Sequence, residues 1–342
     1  MRFPKRTVRI LSVDGGGIRG YIAALMLEEI EKRRLEMGKK HPLSRSFDLM
    51  AGTSTGSLIT LGLSAPELPQ QTPLIHRDIH KLLTGRKPKY TSADIARLYR
   101  ERGAEIFPQH IFRQLRTVRH AFFEKYDAGS FDRVLEESFG ELTLKDALTT
   151  VLVTSYDTLT GKPLIMKNLA KEDNYYIRDA ARGSSAAPTY FEPVKVKSLV
   201  GGKEHCLVDG GVFANNPAMC AYVEARRLFP LARRFTILSL GTGRLEKTFT
   251  HKQIKNWGYM EWVLPSNGVP LISMMSSGQN KCVDYQMEHL PGVDYIRLNP
   301  NLDGCSDEMD DACPENMACL ESVARRAIRE NNQLIDRLAR LL

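Results

Sequence analysis

Twice near its N-terminus the chain passes from a short apolar run through a cluster of glycines into a helical pattern. This repeated unit limits the folds open to it more than any other feature. Val8 to Val13 reads as a buried strand, Gly15 to Gly20 as a tight turn, and Ile22, Leu25, Met26 and Ile30 as one face of a helix. Phe47 to Ala51, then Gly52 to Gly56, then Leu58, Ile59, Leu61 and Leu63 repeat the order of strand, turn and helix. Further strands are predicted at Thr150 to Ser155, Cys206 to Val208, Phe235 to Leu240 and Tyr295 to Leu298, with helices at Asn216 to Phe229 and Pro314 to Leu342. Strands alternating with helices imply an α/β protein whose mainly parallel sheet is covered on both faces. A chain of 342 residues buries a sizeable core unaided. No repeat or boundary divides it, so residues 1–342 are read as a single domain, with Pro66, Pro69 and Pro73 introducing a basic insertion around 76–126.

Each glycine turn also carries chemistry. Asp14-Gly15-Gly16-Gly17-Ile18-Arg19-Gly20, set between strand and helix, aims several backbone N–H groups into one concavity at the positive end of a helix dipole, which suits an anion or oxyanion. Gly15, Gly17 and Gly20 also satisfy G-x-G-x-x-G, which taken alone points to dinucleotide binding. Gly52-Thr53-Ser54-Thr55-Gly56 fits G-x-S-x-G, in which the flanking glycines permit a sharp strand-to-helix turn that presents the serine oxygen at the edge of the sheet. A serine nucleophile needs a base. In a histidine triad the base follows late in the chain, which leaves His205, His251 and His289; His205 precedes a strand, and the other two lie in polar, loop-like stretches. Asp209-Gly210-Gly211 is better placed, because Cys206, Leu207 and Val208 carry Asp209 to a strand end and the glycines turn its carboxylate toward the crevice there. The competing reading of Asp209 is a turn residue before glycines.

The glycine loop at Gly15 to Gly20, the elbow around Ser54 and Asp209-Gly210-Gly211, in that order, resemble the patatin-like phospholipase family. The resemblance extends through Ser185-Ala186-Ala187-Pro188, Asn215-Asn216-Pro217, Gly241-Thr242-Gly243 and Met309-Asp310-Asp311-Ala312, nearly the whole chain. It implies a three-layer patatin-like sandwich that hydrolyses carboxylic esters of phospholipids or lysophospholipids. It further implies Ser54 as nucleophile, Asp209 as general base, and the amides of Gly16 and Gly17 with Arg19 on the oxyanion, with no metal and no diffusible cofactor. Asp14 is expected to be structural. Ser57 stands where many relatives have glycine, and is expected to alter helix packing more than chemistry. A likeness in size and motifs to bacterial effectors of this family, which act in antiphage defence, adds a cyclic nucleotide activator to the expectations.

Composition bounds the rest. With 42% hydrophobic and 26% charged residues the chain is neither disordered nor fibrous in type. The six cysteines, at 206, 220, 282, 305, 313 and 319, show no metal-ligand spacing and are read as reduced thiols. The apolar run after Met1 to Arg6 is interrupted by Arg9 and Asp14, too early for a signal peptide, and no stretch is apolar for about 18 residues, the length a spanning helix needs. A cytoplasmic protein in peripheral contact with the inner face of a membrane is the expectation. Between His76 and Tyr126 twelve basic residues face five acidic ones, a field that attracts phosphate-bearing partners or else forms a solvated helical face. The same segment carries Tyr90, Tyr99, Phe107, Phe112, Phe122, Phe123 and Tyr126, which suits either a lid at a phospholipid surface or ordinary core aromatics. No nucleic-acid motif accompanies them. The C-terminal residues Met317, Leu320, Ala324, Ala327, Ile328, Leu334, Ile335 and Leu338 recur at helical spacing, as a helix packed on the sheet or as the contact of a homodimer.

Overall fold

The computed structural model describes residues 6–67, 86–107, 129–188, 190–244, 248–263 and 270–342. Both N-terminal units form. β1 (Thr7–Val13) leads to α1 (Gly20–Glu36), and β2 (Leu49–Thr53) leads to α2 (Thr55–Ser64). The strands pair in parallel, Ile10 opposite Leu49 and Val13 opposite Gly52, so both glycine turns emerge at the same, carboxyl edge of the sheet. α3 (Ser92–Ile106) starts at a capping box between Thr91 and Asp94, and α4 (Gly129–Phe139) packs beside it.

The chain then adds β3 (Thr150–Asp157), β4 (Lys162–Lys167), α5 (Ile177–Ser184), β5 (Val194–Lys197) and β6 (Glu204–Asp209). It continues through α6 (Gly211–Ala214), α7 (Ala218–Leu228) and β7 (Arg234–Leu240). Short helices α8 (His251–Ile254) and α9 (Tyr259–Val263) precede α10 (Pro270–His289), β8 (Val293–Leu298), α11 (Pro314–Glu330) and α12 (Asn332–Leu341). The sheet runs β5-β6-β3-β2-β1-β7-β8, with β4 on the other edge of β3. Five strands, β3, β2, β1, β7 and β8, pair in parallel; β4, β5 and β6 pair antiparallel.

Alternation along the strands builds two cores. Leu11, Val13, Met50, Val151 and Leu238 face α1, α2, α11 and α12, whereas Val8, Ile10, Leu49, Leu152 and Ile237 face α7 and the end of α10. The result is three layers, helices on both sides of a largely parallel sheet. Each fully buried Leu, Ile or Val contributes about 1.5–3 kcal/mol, enough across two such clusters to fix the sheet.

Several sequence expectations need correction. The antiparallel strands β4 and β5 were missing from the strand pattern: in β4 the short run Leu164 to Met166 is framed by Lys162, Pro163 and Lys167, and β5 alternates valine with lysine. The C-terminal pattern is two helices, broken at Asn331, and Leu320, Ala324, Ile335 and Leu338 are buried inside the chain. Cys305 and Cys319 are not thiols. They form a disulfide across a Cα separation of 5.6 Å, because the loop after β8 folds back onto the start of α11, a proximity that spacing alone does not reveal. Cys206, Cys220, Cys282 and Cys313 are free.

Most of the basic insertion, including Phe112, Phe122, Phe123, Tyr126, Arg113, Arg116 and Arg119, lies outside the described residues. Within the described part Tyr99 and Phe107 belong to the core, and Arg86, Arg97 and Arg102 are paired with Asp146, Asp94 and Glu105.

Candidate active site

Strand register brings the two chemically distinctive turns together. β4 occupies one edge of β3 along Leu152 to Asp157, which leaves the other edge to be shared. β2 pairs there with Thr150 to Thr154, and β6 takes over at Ser155, running the opposite way. Thr53 is therefore opposite Thr154 and Asp209 opposite Ser155, so the residue before Ser54 and the carboxylate sit against consecutive residues of one strand. The Ser54 hydroxyl lies close enough to the Asp209 carboxylate to pull its pKa down.

Ser54 has φ 54° and ψ −126°, a conformation that costs a non-glycine residue about 1–3 kcal/mol and that the surroundings must hold. Its N–H donates to Ser184 Oγ at 2.9 Å, while Ser184 donates in turn to the Thr154 carbonyl at 2.7 Å. Its carbonyl accepts from the Ser57 hydroxyl at 2.6 Å. Gly56 is required by contact, since a Cβ there would collide with the backbone of Val13 and Asp14. With its backbone groups satisfied, the polar group that Ser54 offers is its hydroxyl, in a residue 8% exposed.

Asp209 is 5% exposed. Its Oδ1 accepts from the Gly211 N–H at 2.7 Å, and its own N–H donates to the Ala186 carbonyl at 2.9 Å. Burial pushes its carboxyl up to about 6, against the opposing pull of the bonds from Ser54 and Gly211. It is thus ionised at neutral pH and, for a carboxylate, unusually ready to take a proton.

The glycine loop lies against the serine: a Cβ on Gly15 would stand 3.2 Å from Ser54 Cβ. Gly15 N–H donates to the Asn215 carbonyl at 3.1 Å and Ile18 N–H to the Met309 carbonyl at 2.8 Å. Gly17, at φ 60°, packs so closely on Met309 that no side chain fits. Between these anchors, the N–H groups of Gly16 and Gly17 have no hydrogen-bond partner among the described residues, although both glycines are buried. A buried N–H without a partner costs about 1–3 kcal/mol, so a loop that holds two of them is suited to an incoming oxygen. Arg19 is turned back on this loop, its Nε donating to the Gly16 carbonyl at 3.2 Å; burial lowers its pKa and Asp307 and Tyr190 oppose the shift.

Asp14 is held elsewhere. Arg297 grips it at two points, 2.9 and 2.6 Å, and also bonds Ser239, while Asp284 lies 3.3 Å from the same guanidinium. Burial raises the Asp14 carboxyl to about 6 against the attraction of Arg297, which leaves the pair ionised at neutral pH and fixes the root of the glycine loop. Of the late histidines, His205 is buried between Asp157 (3.0 Å) and Tyr175 (3.1 Å) at the far end of β6. His251 is exposed on α8, and His289 closes α10, bonded to the Tyr285 carbonyl at 2.7 Å. None is bonded to Ser54 or Asp209. Sequence reasoning did not find Ser184 or Arg297, and gave Met309 no role beyond its place in a motif. Only Ser184, adjoining the Ser185-Ala186-Ala187-Pro188 motif, and Met309, opening Met309-Asp310-Asp311-Ala312, had a nearby signal.

A family profile described as patatin-like phospholipase matches residues 11–222. Patatin-like protein 2 of Arabidopsis thaliana is 32% identical, the match covering 94% of this chain and 83% of that protein. Patatin-2-Kuras 3 of Solanum tuberosum is likewise 32% identical, over 94% of this chain and 84% of its own length. Among solved structures, VipD from Legionella pneumophila aligns over 95% of this chain and 67% of its own at 12% identity, with a TM-score of 0.38, too distant to add to these matches.

Proposed function

Because the chain belongs to the patatin-like phospholipase family, we propose that it is a phospholipase A or lysophospholipase whose nucleophile is Ser54 and whose base is Asp209. The observation that carries this reading is the pairing of a strained, buried serine with a buried carboxylate raised to about 6. In the first step Ser54 Oγ attacks the acyl carbonyl carbon as its proton passes to Asp209. The carbonyl oxygen, now negative, is met by the N–H groups of Gly16 and Gly17, donors worth on the order of 3 kcal/mol each in comparable sites. Arg19 adds a positive field behind them. Collapse expels the glycerol oxygen, which takes the proton from Asp209. Water then attacks the acyl-Ser54 ester with Asp209 again as base, and the fatty acid leaves.

Ser54→Ala tests the proposal. Release of fatty acid from phosphatidylcholine, phosphatidylglycerol and their lyso forms should fall on the order of 10⁴-fold or more with the fold intact; a folded variant with normal turnover rejects it. Activation by a cyclic nucleotide belongs to the same reading only as an expectation from the sequence. It is tested by running that assay with and without cyclic di- and trinucleotides. No helix among the described residues is long and apolar enough to cross a membrane, so contact with lipid is proposed at the surface. The cytoplasmic side was inferred partly from reduced thiols; the Cys305–Cys319 disulfide removes that premise, since disulfides persist in oxidising compartments.

A further inference from the structure

The first turns of α10 are built inside out. In a surface helix the apolar side chains face the core, yet Leu271, Ile272, Met274 and Met275, all in its first turns, are 43–63% exposed. The side chains between them on the more sheltered side are Ser273 and Ser276. An apolar cluster turned to solvent on a well-formed helix marks a surface that meets something apolar.

The position of that cluster follows from the contacts along α10. Near its end, Asp284 bonds Tyr295 at 2.6 Å and so lies level with β8. Half-way along, Gln279 accepts from the Asn215 N–H at 2.9 Å and Asn280 from Asn215 Nδ2 at 3.3 Å, which sets this part level with the loop that follows Asp209. Residues 271–275 come four to nine positions earlier on the helix. At 1.5 Å per residue they stand about 6–14 Å beyond the catalytic loop, on the side where the sheet's carboxyl edge opens.

The neighbouring elements add an interfacial composition. α9 packs on α10 and presents Tyr259 and Met260, 79% and 51% exposed. Trp257 and Trp262, both of the chain's tryptophans, meet edge to face at 5.0 Å and are half-buried. Lys252 and Lys255 are exposed close by, and neither has an acidic partner among the described residues. Tryptophan and tyrosine beside lysine, above an exposed aliphatic cluster, is the composition that settles at the headgroup level of an anionic bilayer.

Resting on the reading of the chain as a phospholipase, we infer that the start of α10, with α9 and the tryptophans, is the surface by which this protein docks on an anionic phospholipid bilayer, on the same side of the sheet as Ser54 and Asp209. Leu271, Ile272, Met274 and Met275 enter the acyl boundary, and the two lysines meet the headgroup phosphates.

The test uses the full chain, vesicles of phosphatidylglycerol, and the double substitution Ile272→Glu with Met275→Glu. The native protein should co-sediment with the vesicles, and its tryptophan emission should shift to shorter wavelength on binding, both tryptophans being at the proposed contact. The double variant should bind at least about tenfold more weakly, without the emission shift, while its thermal unfolding and its hydrolysis of a short-chain monomeric ester stay as in the native protein. Three results overturn the docking surface: equal vesicle binding by the variant, native binding with no change in tryptophan emission, or a native dimer that the substitutions dissociate, which assigns the face to a second copy. The Ser54→Ala protein separates this inference from the catalytic one, since it should bind vesicles like the native chain while hydrolysing nothing.

Discussion

The two glycine turns at the carboxyl edge of β1 and β2 share one local plan and are put to opposite uses. In the turn after β1 the side chain is committed, Asp14 being locked by Arg297, and among the described residues the backbone N–H groups of Gly16 and Gly17 find no partner. In the turn after β2 the backbone is committed, the Ser54 N–H to Ser184 and its carbonyl to Ser57, and the side chain is left. What a glycine-rich turn offers a substrate is therefore decided by which of its polar groups the surrounding fold has already satisfied. One turn supplies donors, the other a nucleophile, and β3 sets Asp209 beside the second.

If that division holds, the largest single loss short of removing Ser54 comes from its proton acceptor. Asp209→Asn keeps the shape but cannot take the proton, and turnover should drop on the order of 10³- to 10⁴-fold. With the native residue, kcat/KM should rise as pH passes about 6 and level off above it, because the raised carboxyl is protonated, and so useless as a base, below that value. His205→Ala provides the control: it leaves Asp157 without its ring partner and should cost about 1–3 kcal/mol in denaturant unfolding, yet preserve the pH profile. A profile that follows His205 instead would restore the histidine triad.

The donor turn should be sensitive through its backbone. Gly17→Ala forces a Cβ onto Met309 at a positive φ, and kcat should fall about 10²-fold as the donors shift, with KM nearly unchanged. A rise in KM with kcat unchanged would mean that the loop binds the substrate equally in ground and transition states. The smallest effect belongs to Ser57→Gly. It removes the hydroxyl that braces the Ser54 carbonyl and should lower stability by about 1 kcal/mol, with kcat within about twofold. A large catalytic loss there would mean that the bond at 2.6 Å holds the nucleophile and not merely its helix.

Much of this was legible in the sequence because the central strands are buried on both faces and read as apolar runs, and because each glycine turn must follow such a run. β4 was not legible, since Pro163 and two lysines hide its pairing with β3. α10 was missed because the apolar side chains of its first turns point outward, the reverse of the pattern that betrays a packed helix. Ser54 and Asp209 could be singled out from motifs, but what holds them could not: Ser184 is 130 residues from Ser54, and Arg297 is 283 residues from Asp14. Such partners are created by register and sheet order, which no local pattern encodes. The Cys305–Cys319 disulfide is a smaller instance of the same limit.

The central claim, a serine activated by a carboxylate alone, is tested most directly by trapping. A long-chain fluorophosphonate, which reacts only with an activated serine, should add to the native chain once, and peptide mass spectrometry should place it on Ser54. The Asp209→Asn protein should label on the order of 10³-fold more slowly, and the His205→Ala, His251→Ala and His289→Ala proteins at the native rate. Label on another residue, or labelling of Ser54 that ignores Asp209 but stops with one of the histidines, would contradict the account.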